Sequence, residues 1–98
     1  MTPQRRTHRS DLNQGEIVMA LRAIGCTVRD LSQVGQGCPD ILVGLHGLNI
    51  LLEIKGKRGK LTAEQVIFHK AWAGQLEVVR SIDEAVEAVN KAVRRHGR

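Results

Sequence analysis

The chain has 98 residues, 42% of them hydrophobic, which bounds it to one small core and a single domain. Fifteen Lys and Arg against ten Asp and Glu leave a formal charge of +5, so a polyanion is the natural partner. One Trp, one Phe and no Tyr imply a core of Val, Leu, Ile and Ala and argue against an aromatic platform for stacking single-stranded bases, and no apolar run is long enough to span a bilayer.

Residues 1–10 carry Arg5, Arg6 and Arg9 without periodicity and read as a flexible basic arm ahead of one domain at residues 11–95. Ser10 or Asp11 is placed to cap a helix reaching about Ile24, with Ile17, Ala20, Leu21 and Ile24 on one face and Gly25 as the stop. Glu16 lies beside that apolar stripe. A first strand follows from Cys26 to Leu31, and then a connection in which Gly35 and Gly37 bracket Gln36. No Gly-Lys-Ser or Gly-Lys-Thr follows these glycines, which excludes a P-loop. Cys26 and Cys38 have neither CxxC spacing nor a signal peptide, so reduced thiols in a cytoplasmic protein are expected, and a zinc site with His46 lacks the usual ligand spacing.

The next two strands carry the chemistry. Asp40 opens the run Ile41-Leu42-Val43, a glycine-rich reversal spans Gly44 to Asn49, and Ile50-Leu51-Leu52-Glu53-Ile54-Lys55 returns. Paired antiparallel, the start of the first strand meets the end of the second, which brings Asp40 to Glu53 and Lys55. Period-two alternation sends Glu53 and Lys55 to a polar face and Leu52 and Ile54 to the core. Carboxylates beside apolar runs are costly unless paired or metal-bound. Asp40, Glu53 and the carbonyl of Ile54 form an open oxygen site suited to magnesium or a similar hard divalent cation, with Lys55 placed to orient an attacking water. The plainer alternative is an exposed Glu53–Lys55 ion pair on an edge strand, with Asp40 ending a turn after Pro39. Lys57, Arg58 and Lys60 follow in a glycine-punctuated loop that can grip backbone phosphates without reading sequence.

Leu61 and Thr62-Ala63-Glu64-Gln65 form a hydrophobic staple and capping box for a helix to about Ala73, with Val66, His69 and Ala73 on one face. His69 reads as an ordinary half-buried helical histidine. A strand from Gln75 to Arg80 and a second capping box, Ser81 to Glu84, lead into a last helix with Ala85, Val86, Val89 and Val93 inward and Arg94, Arg95, His96 and Arg98 at its end. The element order is αβββαβα.

Pro39-Asp40 followed by Glu53-Ile54-Lys55 resembles the signature of the PD-(D/E)xK nucleases, and length and motif order look most like the small virus-type VRR-NUC domains. The resemblance runs from about Asp11 to Ala92. It implies an α/β fold of the small restriction-endonuclease-like kind, a mixed central sheet flanked by helices. It also implies that Glu16 helps hold metal and that Gln65 lies near the site. A metal-dependent endonuclease acting on DNA follows, using Mg2+ or Mn2+, with branched DNA such as four-way junctions as substrate, a homodimer for paired cuts and a phage or prophage origin. A DNA-binding accessory module on the same fold and a sequence-specific nuclease are the alternatives. Metal-dependent cutting separates the first from the enzyme, and cutting only at defined sequences on linear duplex separates the second.

Overall fold

The computed structural model describes the backbone of residues 2–96 and the side chains of residues 13–96. Its elements are α1 (Thr2–Ala23), β1 (Thr27–Asp30), β2 (Ile41–Leu45), β3 (Leu48–Ile54), α2 (Ala63–Ala71), β4 (Leu76–Val79) and α3 (Ile82–His96). The four strands form one sheet in the order β1-β2-β3-β4, antiparallel except for the parallel β3–β4 pair that α2 connects. This is the mixed, helix-flanked sheet and the αβββαβα order that the sequence implied.

Helix α1 starts earlier than its expected caps. Its backbone is helical from Thr2, and Pro3 in the first turn is compatible with that because no intrahelical donor is needed there. The segment expected as a flexible arm is thus drawn into the helix. The phosphate contacts expected of Arg5, Arg6 and Arg9 lie outside the described side chains. At the other end Gly25, at φ +103°, closes the helix: its N–H donates to the Arg22 carbonyl at 3.0 Å and the Cys26 N–H reaches the Leu21 carbonyl at 3.0 Å. Those two bonds define a Schellman cap, with Cys26 and Leu21 both buried at its hydrophobic contact. Ile24 becomes the cap residue itself and is exposed, so it drops out of the apolar stripe.

Ile17 and Leu21 of α1 and Ala85, Ala88, Val89 and Ala92 of α3 cover one face of the sheet, against Ile41, Val43, Ile50, Leu52, Ile54 and Val79. The small residues of α3 let it lie close to the strands, and truncating a fully enclosed residue such as Leu21 to Ala costs about 2–5 kcal/mol. The β2–β3 hairpin turns through His46 and Gly47, both at positive φ, with Leu45 paired to Leu48. A two-residue turn of that hand matches the strand twist and sets the register.

Helix α2 lies over the opposite face and none of its residues is buried. The apolar face expected from Val66, His69 and Ala73 is therefore not a packing face: Val66, Ile67 and Trp72 are all exposed. Its capping box is present as read, Thr62 Oγ1 accepting from the Gln65 N–H at 3.2 Å and Gln65 Oε1 from the Thr62 N–H at 2.9 Å. The α3 box is displaced by one residue. Ser81 Oγ accepts from the Glu84 N–H at 3.1 Å, while the Glu84 carboxylate accepts from the Arg80 N–H at 2.8 Å.

Candidate active site

The site grows from the hairpin register. Ile41 pairs with Leu52, so Asp40 falls level with the end of β3. Its backbone is tied on both sides, its N–H donating to the Leu52 carbonyl at 3.1 Å and its carbonyl accepting from Leu31 of the neighbouring connection at 2.8 Å. Pro39, fully buried, restricts the approach. The Asp40 carboxylate then turns back along β3 and accepts the Ile54 N–H at 2.7 Å. In a strand the N–H and C=O of one residue leave on the same side, so the Ile54 carbonyl faces the same edge as the Asp40 carboxylate. Lys55 is bound to β4 by the opposite edge of the strand, its N–H donating to Val79 at 3.0 Å.

Glu53 points to the expected face, opposite Leu52 and Ile54, but that face is covered. Glu53 is only 1% exposed and is the buried charged residue among the described side chains. The reason is α2, which lays two polar side chains over it: Gln65 Nε2 donates to Glu53 Oε2 at 3.2 Å, and His69 Nε2 lies 3.4 Å from Glu53 Oε1. Gln65 thereby uses both ends of one amide, its oxygen capping α2 and its nitrogen holding Glu53. Burial first, then the Asp40 charge and a hydrogen bond shared with Asp40, push the Glu53 carboxyl up to about 8, and Lys55 only partly opposes this. Burial and the Lys55 charge push His69 down, so its contact with Glu53 is that of a neutral imidazole rather than an ion pair. Burial, and then the charges of Glu53 and Asp40, push the Cys38 thiol up.

Asp40, Glu53, Lys55 and Gln65 are thus brought together. Glu16 is not among them: it is exposed on α1 and makes no hydrogen bond or ion pair with either acid among the described residues. Lys57, Arg58 and Lys60 lie exposed directly beyond β3. Sequence reasoning passed over two residues. His69 stands four positions after Gln65, and that spacing puts both on one helix face, which was the available signal. Arg80 is the other. Its Nη1 donates to the carbonyls of Gly56 and Gly59, each at 2.7 Å, and so pins the basic loop to the end of β4. No local pattern announces a contact across that separation in sequence.

Among the described residues no three His, Cys, Asp or Glu side chains surround one point. The donor set available to a cation is accordingly two carboxylates, the Ile54 carbonyl and water. An acid pair at the end of a β-hairpin, with a lysine two residues beyond the second acid and a sheet backed by two helices, defines a nuclease-like α/β site. A solved structure described as a VRR_NUC domain is similar to this chain at a TM-score of 0.70 and 26% sequence identity, over 83% of this chain and 94% of that one. The fold is that of a VRR_NUC domain, with which the PD-(D/E)xK signature is consistent, and the likeness supports a nuclease domain. No family model matches the chain, and no curated protein does.

Proposed function

We propose that the chain is an endonuclease that hydrolyses DNA phosphodiester bonds with a divalent cation, magnesium or manganese, and that it selects branched DNA such as four-way junctions. The observation that carries this reading is the Asp40–Glu53 pair. The half-buried Asp40 carboxylate lies against the buried Glu53, and burial and that charge outweigh Lys55, so the Glu53 carboxyl stays protonated near neutral pH. Such a pair fits a hard cation, for which oxygen donors and retained water are the preferred set. Asp40, Glu53 and the Ile54 carbonyl would hold it. Bound there, the cation supplies a lowered pKa for the attacking water and neutralises charge on the phosphate.

The chain's own residues do the rest. Lys55 stands where its ammonium acts on both Glu53 and His69, and it orients the attacking water on the open side of the acids. Gln65 and His69 fix the Glu53 carboxylate from above, so its oxygens keep one direction when the proton leaves. Lys57, Arg58 and Lys60 grip the phosphates flanking the cut, without base contacts, as suits recognition of shape over sequence. Symmetric cutting of a junction needs two acid pairs, and one copy carries one, so the active form is a homodimer.

The test is cleavage of labelled four-way junction, flap, linear duplex and single-stranded DNA with magnesium, manganese or chelator, for wild type, Asp40→Ala and Lys55→Ala. Cutting that requires metal and is abolished in both variants is the expected result. DNA binding with no cutting under any condition would instead identify an accessory module on a nuclease fold.

A further inference from the structure

Phe68 and Trp72 are the only members of the Phe, Tyr and Trp set in the chain, and neither serves the core. Four residues apart, Phe68 in the last turn of α2 and Trp72 at its C-cap, they stack on each other with ring centroids 5.3 Å apart and planes at 14°. Trp72 keeps 46% of its surface exposed and the neighbouring Ile67 keeps 68%. Together with Gln36, Glu64 and Ala71 they line an open cleft of about 420 Å3, a volume typical of small-molecule sites.

The side of that cleft formed by Gln36 lies in a loop of left-handed backbone. Gly35, Gln36 and Gly37 all have positive φ, at 80°, 58° and 80°. A glutamine in that region is uncommon and is sustained by its surroundings. Gly37 supplies them: a β-carbon there would lie 2.3 Å from the Glu64 carbonyl oxygen, so only glycine lets the loop seat on the first turn of α2. Gln36 is held at the cleft as a result.

The lining selects its occupant. A carboxylate at the rim repels phosphate but accepts a hydrogen bond from an amino group, and the Gln36 amide both donates and accepts. An apolar, aromatic floor with that rim suits a flat, uncharged, hydrogen-bonding ring. On the same helix Gln65 and His69 touch Glu53, which puts the cleft within a turn of the acids. A base paired in a duplex cannot enter, since its hydrogen-bonding edge and both faces are occupied.

We propose that this cleft receives one unpaired nucleobase of the substrate strand beside the cut, stacked on Trp72 and contacted at its edge by Gln36 and Glu64. The inference rests on the endonuclease reading and names what that site recognises in branched DNA, a base freed when a pair at the branch point opens. It requires a single subsite rather than the extended aromatic platform that the composition argues against.

Trp72 is the sole tryptophan, so its fluorescence reports the contact directly. The full chain is titrated in chelator with a duplex carrying one unpaired nucleotide, the same duplex with an abasic residue at that position, and a fully paired duplex. Quenching by the unpaired base and none by the abasic form is expected. Trp72→Leu should bind the bulged duplex about five- to thirtyfold more weakly, leave the paired duplex unchanged, and be largely rescued in Trp72→Phe. Equal quenching by the abasic duplex, or equal weakening on all three DNAs, would overturn the cleft proposal while leaving the nuclease intact. So would sedimentation showing a wild-type dimer that Trp72→Leu splits, because a second copy would then cover this face. Failure to bind any of these DNAs would overturn the cleft proposal, while the metal-dependent cleavage assay on junction DNA decides the endonuclease reading separately.

Discussion

Glu53 holds an unresolved electrostatic conflict, and its consequence is measurable before any substrate is added. In the folded chain its carboxyl sits at about 8, against 4.5 for a solvated glutamate. Below about pH 4.5 both folded and unfolded chains are protonated and the contribution is fully present. As pH rises the unfolded chain alone ionises, so stability falls until the folded carboxyl ionises near 8, at up to about 1.4 kcal/mol per pH unit. His69 works the other way: its folded pKa is depressed, so its contribution is present above 6.5 and is lost as pH falls below that. The comparison that isolates Glu53 is therefore wild type against Glu53→Gln, in chelator. Glu53→Gln should be the more stable protein at pH 8, with the advantage shrinking toward pH 5, as read from melting temperatures. An advantage independent of pH would contradict the buried acid pair. The identities of Asp40, Glu53 and Lys55 were legible because a motif and a hairpin converge on them. The burial of Glu53 was not, because strand alternation says which face a side chain takes and is silent on what covers that face.

At the scale of elements, legibility followed how local the determining contacts are. The stop of α1 at Gly25, the β2–β3 reversal and the cap of α2 each depend on a few adjacent residues, and each was readable. The behaviour of α2 was not: its apolar positions look like a packing stripe, yet the helix sets Gln65 and His69 toward the sheet and leaves Ile67 and Trp72 outside. The same distinction applies to the loop after β3, whose basic residues are plain in the sequence and whose anchor is not. Arg80 closes that loop with two bonds to the Gly56 and Gly59 carbonyls, aided by the turn in which the Gly59 N–H donates to Gly56 at 3.0 Å. Charge-assisted hydrogen bonds of this kind contribute about 1.5–3 kcal/mol each. Arg80→Met should leave the strands and the acid pair in place but free the loop, so that trypsin cuts after Lys57 or Arg58 faster than in wild type. On DNA it should raise KM with little change in kcat if, as proposed, the loop grips phosphate and takes no part in the hydrolysis itself. Unaltered proteolysis would show that the loop keeps its shape without the guanidinium.

For the whole molecule the question is how a chain with a formal charge of +5 distributes that charge over DNA. Arg94 pairs with Glu87 at 2.9 Å and Lys91 lies 3.7 Å from Glu77, so the basic end of α3 is partly balanced by acids of α3 and β4. Lys57, Arg58 and Lys60 have no such partner among the described ion pairs and follow directly on the strand that carries Glu53 and Lys55, so under the proposed function their loop is a phosphate contact. Each phosphate neutralised contributes about −0.9 to the slope of log affinity against log salt on duplex DNA. Replacing Lys57 and Arg58 with Gln should accordingly flatten that slope by about 1.8 on a short duplex that seats one copy. A four-way junction carries two related arms pairs, and a homodimer would bring two loops to it, so the same double substitution should flatten the slope there by about twice as much. Sedimentation of the wild-type complex should give two chains per junction. One chain per junction, with the same change of slope on both DNAs, would remove the dimer and leave the chemistry of Asp40, Glu53 and Lys55 standing on a single copy.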